Sequence, residues 1–194
     1  DKEVIVVVPA RDVLLISAQL PKMNRSRLLQ ALPFALEEQL IDDVEDLHFA
    51  AGVEQANGEL SVAIVAKAKM QEWLTWLQQY HIRPSSMISA VFAIPIEPGA
   101  WSIALLSDGA IVRENATRGY GCDADNLASL LTASLETTTI KPEYINLNNY
   151  TLDAMRFPLP LSVHEVFAKD ECSFLEFIAN NDQPDTINLL QGAY

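Results

Sequence analysis

Glycine is scarce in this chain. Its 194 residues include seven, scattered, with neither GxGxxG nor GxxxxGK[ST] among them, so the loops whose backbone amides cradle a phosphate are missing. No GxSxG elbow is present either, which removes one common frame for a serine nucleophile. Cys122 and Cys172 are the only cysteines. They are too few for a disulfide framework and lack CxxC spacing, so two reduced thiols are expected, with a single bridge as the alternative. The three histidines, His48, His81 and His164, stand far apart without an i, i+4 partner. They read as surface or half-buried side chains, since a metal site needs convergent ligands. Basic residues number 13 against 26 acids, a net charge of −13. That balance argues against nucleic acid and anionic membrane surfaces and favours a basic protein partner. No apolar run approaches the roughly 20 residues that span a bilayer; the longest uncharged stretch, Pro84 to Ile96, carries two prolines. No basic segment leads into an apolar core, so no signal peptide is expected. Beginning at Asp1 rather than Met, the chain reads as trimmed or processed.

A 49% hydrophobic and 20% charged composition fits a globular protein of one or two domains, long enough to bury a core. Val4 to Val8 is a β-branched run suited to a strand buried on both faces, and Val13 to Leu20 a second strand. Ala10-Arg11-Asp12 is short enough to make them a hairpin. A helix follows, capped by Asn24 or Ser26. Leu28, Leu32, Leu36 and Leu40 form its stripe, widened by Leu29 and Ile41. Pro33 interrupts it, so a kink or a late start is expected. Asp46 to Val53 and Glu59 to Ala68 read as a hairpin around Asn57-Gly58. Met70, Trp73, Leu74 and Leu77 mark a helix ending near His81, and Met87 to Val91 a short strand. The alternation then repeats: strands over Trp101–Leu106 and Ala110–Glu114 around Ser107-Asp108-Gly109, a helix with Leu127, Leu130, Leu131 and Leu135 on one face, and a strand at Tyr144–Leu147. An irregular stretch follows at Pro158 and Pro160, then a helix at Phe174–Ile178 and an extended close at Ile187–Leu190. Interleaved strands and helices imply an α/β or mixed α+β fold with mixed sheets, with a break near Pro95 to Gly99.

Chemistry-bearing patterns are few. Asp108-Gly109 is the one turn that could touch phosphate, and it reads more simply as a plain hairpin. Between Arg27 and Lys67 there is no Lys or Arg but eight acids: Glu37, Glu38, Asp42, Asp43, Glu45, Asp46, Glu54 and Glu59. Such a run is either a solvated face or an electrostatic landing site for a basic partner. Trp76 lies off its helix stripe and is assigned to the core.

The stretch Arg27-Leu28-Leu29-Gln30-Ala31-Leu32-Pro33-Phe34-Ala35-Leu36-Glu37-Glu38-Gln39-Leu40, continuing through Glu45-Asp46-Leu47-His48-Phe49-Ala50, resembles the cytoplasmic part of the type II secretion protein L (GspL) family. The closing Ile187-Asn188-Leu189-Leu190-Gln191-Gly192-Ala193-Tyr194 is similar to that family's segment just before its membrane helix, and Trp101 to Leu106 with Arg113 to its middle strands. The resemblance implies a reduced actin-like (RNase H-like) fold arranged in subdomains. It also implies a non-enzymatic adaptor at the cytoplasmic face of the bacterial inner membrane, which recruits the secretion ATPase through that enzyme's N-terminal domain. Type II secretion proteins M and F would be partners of the full-length, single-pass protein, and this chain an excised cytoplasmic domain. No cofactor or metal is implied. Actin-like ATPases carry a glycine hairpin after their first strand; here Val8-Pro9-Ala10-Arg11-Asp12 has none, and Pro9 deletes an amide donor. ATP hydrolysis is therefore not expected.

Three subdomains follow: 1–22 with 82–97, an inserted acidic 23–81, and 98–194. The expected docking residues are Glu37, Glu38, Asp42, Asp43 and Asp46, with main-chain pairing at an edge of the 46–68 hairpin as a possible addition. The alternatives are an actin-like ATPase or kinase that still uses nucleotide, an assembly protein like pilus protein M or the actin-like cell-division proteins, and a scaffold that self-associates as a homodimer.

Overall fold

The computed structural model describes residues 3–54, 58–151, 163–167, 174–180 and 186–194. Asn57, Pro158, Pro160 and Cys172, singled out above, lie outside them. Two compact units emerge: residues 1–89 with 185–194, and residues 90–184.

The first unit contains β1 (Ile5–Val8), β2 (Leu14–Gln19), α1 (Arg25–Leu36), β3 (Leu47–Glu54), β4 (Glu59–Ala66), α2 (Lys67–Gln79) and β5 (Ser86–Ser89). β1 and β2 do not form the expected hairpin. β1 pairs in parallel with β5, from Ile5 opposite Ser86 to Val8 opposite Ser89, whereas β2 pairs antiparallel with β4. The residues between them close a 3-10 turn, Ala10–Asp12, which redirects the chain instead of reversing it. With one partner strand, β1 is not buried on both faces, and Ile5 is 58% exposed.

β4 is the centre of the sheet β2-β4-β3, which explains why residues on both of its faces are buried. On one face Leu60, Val62 and Ile64 join Ala18, Leu47, Phe49 and Ala51 against Leu32 and Leu36 of α1. Burying such side chains contributes about 1.5–3 kcal/mol each. Asn24 caps α1, its side chain accepting from the Arg27 amide at 3.0 Å. The helix therefore starts early, and Pro33 sits inside it, removing the amide that would bond to Leu29. α2 buries Met70 and Trp73. Trp76, assigned to the core above, is instead 57% exposed, because it points off the Met70–Trp73 stripe.

The second unit holds β6 (Ala100–Leu106), β7 (Gly109–Arg113), β8 (Gly119–Cys122), α3 (Leu127–Thr137), β9 (Tyr144–Asn149), β10 (Val163–Phe167) and α4 (Phe174–Asn180). Its sheet runs β10-β9-β6-β7-β8. β6, β7 and β8 are antiparallel, and β9 and β10 run parallel to β6. Three meandering strands followed by parallel additions across the central strand is the RNase H-like order. Trp101, Ile103 and Leu105 alternate onto one face with Val112, Ile145 and Leu147, where Leu127, Leu131 and Leu135 of α3 cover them. Leu130, expected on that stripe, is largely exposed.

On the opposite side, Arg113 is 3% exposed. Its Nη1 donates to the carbonyls of Phe92, at 2.9 Å, and Ile94, and its guanidinium lies 5.5 Å from the Phe92 ring centre. It thereby anchors the buried 3-10 turn Ala90–Ala93. Gly119 is needed beside it: a Cβ there would come within 2.3 Å of the Val112 carbonyl oxygen and 2.5 Å of a Val91 methyl.

Candidate docking surface

α1 ends at Leu36. The chain then passes through a 3-10 turn, Glu37–Gln39, an extended Leu40, and a second turn, Val44–Asp46, before entering β3. All five carboxylates singled out above, Glu37, Glu38, Asp42, Asp43 and Asp46, are exposed on this connection. Asp43 Oδ1 accepts from the Glu45 amide at 2.9 Å and caps the second turn. Among the described residues, the other four have no side-chain hydrogen bond or ion pair. Lys67, opening α2, donates to the Glu45 carbonyl at 2.5 Å rather than to a carboxylate. The acidic run is also divided: Glu54 and Glu59 sit at the far end of the β3–β4 hairpin, roughly 25 Å from Asp46 at about 3.3 Å per strand residue.

Two apolar side chains accompany the acids. Phe34 is 78% exposed and Ile41 fully exposed. Ile41 was expected to widen the α1 stripe; it does not, because Leu40 leaves helical geometry (φ −109°, ψ 147°) and breaks the register. Exposed aromatic and aliphatic side chains ringed by charge are the composition of a contact surface. Phe34 lies within α1 but two residues from both Leu32 and Leu36, off the stripe; nothing in the residue pattern separates Ile41 from the core, and only the end of the helix does.

The charges on α1 run against its dipole. Arg25 and Arg27 occupy the positive first turn, and Glu37 and Glu38 follow the negative last turn, each unfavourable by about 0.3–1 kcal/mol. Arg25 recovers part of this through hydrogen bonds from Nη2 to the Ala51 carbonyl, at 2.7 Å, and to Gln191 Oε1, at 2.9 Å. Glu37 and Glu38 have no such bond among the described residues. Local rules broken in this way mark a place where something other than stability sets the sequence.

His48 was read as a surface or half-buried residue; the structure corrects this. It is 6% exposed, because it faces inward from β3 onto the closing segment. Its Nε2 lies 2.7 Å from the Leu189 carbonyl, an acceptor only, so Nε2 carries the proton. Burial is the main cause that lowers its pKa; the bond to Leu189 opposes it and Lys67 adds to it. The edge pairing suggested for the hairpin meets an obstacle too. At Ala51 the open edge of β3 is taken by the Gln191 side chain, which accepts from the Ala51 amide at 3.1 Å and donates to its carbonyl at 3.0 Å.

The loop after β1, where a phosphate hairpin would lie, turns two amides inward. Asp12 N donates to the Pro9 carbonyl and Val13 N to the Ala10 carbonyl. Ser107 and Asp108 form the two-residue turn of the β6–β7 hairpin. Among the described residues no group of His, Cys, Asp and Glu is arranged to hold a metal ion, and no helix is long and apolar enough to cross a membrane.

The sheet order, with a surface of exposed carboxylates and apolar side chains, defines a mixed α/β protein of the reduced actin-like class. The family model for type II secretion system protein L matches residues 1–194, and the chain belongs to that family. Among relatives, protein L of Dickeya chrysanthemi is 36% identical over 97 residues, 50% of this chain and 24% of that protein. Protein L of Klebsiella pneumoniae is 34% identical over 66% of this chain and 32% of its own length. That of Pectobacterium carotovorum is 27% identical over 97% of this chain and 44% of its own. The chain thus spans less than half the length of these relatives. Its fold is similar to the cytoplasmic domain of EpsL, an inner-membrane component of the type II secretion system of Vibrio cholerae. The TM-score there is 0.81 at 21% identity, covering 99% of this chain and 79% of that one. A second likeness, TM-score 0.51 at 14% identity over 77% of this chain and 63% of the other, is to a chain of the PilM–PilN type IV pilus biogenesis complex.

Proposed function

We propose that this chain is a non-catalytic adaptor at the cytoplasmic face of the inner membrane. It recruits the secretion ATPase through that enzyme's N-terminal domain and couples it to the membrane assembly. In this reading, proteins M and F are partners of the longer, single-pass protein. Glu37, Glu38, Asp42, Asp43 and Asp46 are the electrostatic part of the docking surface, and Phe34 and Ile41 its apolar part. The division into 1–22 with 82–97, 23–81 and 98–194 belongs to the same proposal, with the acidic 23–81 as the docking subdomain.

The observation that carries it is the exposed connection between α1 and β3, where unpaired acids sit against the helix dipole beside Phe34 and Ile41. Solvent exposure alone would ask for charge there, but not for uncompensated acid at a helix C-terminus flanked by exposed apolar groups. The inward turn of two amides after β1 supports the absence of nucleotide turnover.

Calorimetric titration with the N-terminal domain of the cognate ATPase, at low and high salt, tests the reading. Saturable binding that weakens with salt is expected. Binding indifferent to salt moves the interface off the acidic connection. No binding at high micromolar concentration, or ATP turnover by the purified chain, overturns the adaptor role.

A further inference from the structure

The closing segment of the first unit, residues 186–194, forms neither strand nor helix, yet it is bonded to three elements of that unit. On β5, the Leu189 amide donates to the Met87 carbonyl at 2.8 Å, and Asn188 Oδ1 accepts from the Met87 amide at 3.0 Å. One backbone group and one side-chain amide thus replace a neighbouring strand. On β3, His48 donates to the Leu189 carbonyl at 2.7 Å and meets the Tyr194 ring edge-on at 4.8 Å. Ile187 fills the space over Gly52, where a Cβ would come within 3.0 Å of it.

The third attachment reaches α1. Arg25 Nη2 bonds both the Ala51 carbonyl and Gln191 Oε1, while the Gln191 amide bonds both the Ala51 carbonyl and the Ala51 amide. Arg25, Ala51 and Gln191 therefore close a ring of four hydrogen bonds. Gln191 Nε2 also donates to the Asn188 carbonyl at 2.6 Å, which joins this ring to the β5 attachment within one short turn.

We propose that residues 186–194 are a strap whose docking orders α1, with Gln191 as the positioning residue, so that the strap and the acidic end of α1 are energetically coupled. The physical basis is the weakness of α1 by itself. A helix of about 12 residues is marginal without tertiary support, and Arg25 and Arg27 oppose its dipole. Its first residue is held by Gln191 and Ala51, and the Ala51 carbonyl that receives Arg25 is itself held by Gln191. If a basic partner binds the far end of α1, reciprocity requires that strap docking and partner binding favour one another. That last consequence rests on the docking reading above; the ordering of α1 does not.

Residue-resolved amide hydrogen exchange on the 194-residue chain tests the strap directly. Gln191→Ala should accelerate exchange at Ala51 and in α1, at Leu28 to Leu36, by about tenfold, the loss of roughly one net hydrogen bond. Asn188→Ala, whose side chain bonds Met87 and not α1, should accelerate Met87 and, because the strap undocks as a unit, α1 as well. Gln191→Glu keeps the acceptor for Arg25 and the Ala51 amide but turns a carboxylate oxygen toward the Ala51 and Asn188 carbonyls that Nε2 serves, so it should loosen α1 as well. Faster exchange at Ala51 with unchanged α1, in both alanine variants, overturns the proposal. The ATPase-domain titration repeated on Gln191→Ala separates the two claims. Weaker binding than wild type supports the coupling, and equal binding overturns it. If the wild-type chain does not bind, the docking reading fails, while the exchange data still decide the strap.

Discussion

The two units reach stability by different means. The second is built on one five-stranded sheet, with an alternating strand, β6, buried under the leucines of α3. Among its described residues, Arg113 is the buried charged side chain, accompanied by the buried polar Ser102, Asn146 and Asn149. The first divides its strands between a two-stranded and a three-stranded sheet, and finishes β3 and β5 with side-chain amides of a segment 140 and 101 residues further along the chain. It also leaves Phe34, Ile41 and Trp76 exposed. A unit whose edges are completed by side chains has more local ways to open, which suits a surface that responds to a partner. A unit with a continuous apolar core suits a scaffold.

The sharpest test of the contrast is a cavity in the second unit. Leu131 is fully buried under β6, and Leu131→Ala should cost about 3–4 kcal/mol, measured by denaturant unfolding. A loss under 1 kcal/mol would mean that this core is not what holds the unit.

Arg113→Lys comes next. Both carbonyls bond Nη1 at the tip of the guanidinium; the lysine stem keeps the charge but ends one bond short of that nitrogen, so at least one of the Phe92 and Ile94 carbonyls loses its partner. A loss of about 1–3 kcal/mol is expected, with exchange rising first across residues 90–94. A variant indistinguishable from wild type would remove Arg113 as the anchor of that turn.

These elements were unequally legible in the sequence. The Leu127–Leu131–Leu135 stripe, the β3–β4 hairpin and the helix cap, offered as Asn24 or Ser26, are local patterns, and local patterns survive reading one residue after another. The pairing of β1 with β5 is a contact across some 80 residues, and the nearest apolar run, β2, offered a simpler hairpin that the structure does not make. His48 looked like a surface histidine because nothing near it in sequence hints at Leu189 or Tyr194. At the candidate docking surface, the acids were legible as a run without Lys or Arg. Ile41 was not: it reads as widening the leucine stripe, and only the extended conformation of Leu40 takes it out of the helix. Gln191 was legible only as part of the closing segment that carries the family resemblance; nothing near it in sequence hints at Ala51 or Arg25.

His48 gives a pH test confined to the first unit. Its pKa is lowered below 6.5, chiefly by burial, so the unfolded chain binds the proton more readily. Stability from this group is complete above about pH 6.5 and falls as pH drops below it toward the lowered folded value. The difference in melting temperature between wild type and His48→Gln should therefore be constant above neutrality and shrink on acidification. A difference that does not change between pH 7.5 and 5 would place the titration elsewhere.

The smallest effect on stability bears most directly on function. Replacing Glu37 and Glu38 by glutamine removes negative charge from the C-terminal end of α1, where the dipole disfavours it. The double variant should gain a few tenths of a kcal/mol, since such exposed charge–dipole terms are about 0.3–1 kcal/mol each and salt screens them. The same change removes charge that would face a basic partner, so the ATPase domain should bind several-fold more weakly, mostly through a slower association rate that converges with wild type at high salt. The two signs are the point of the experiment. Acids kept only for solubility would give a small gain in stability and no change in binding. Acids needed for folding would give a loss in both. A protein that becomes slightly more stable while its partner associates more slowly has been carrying those charges for the partner.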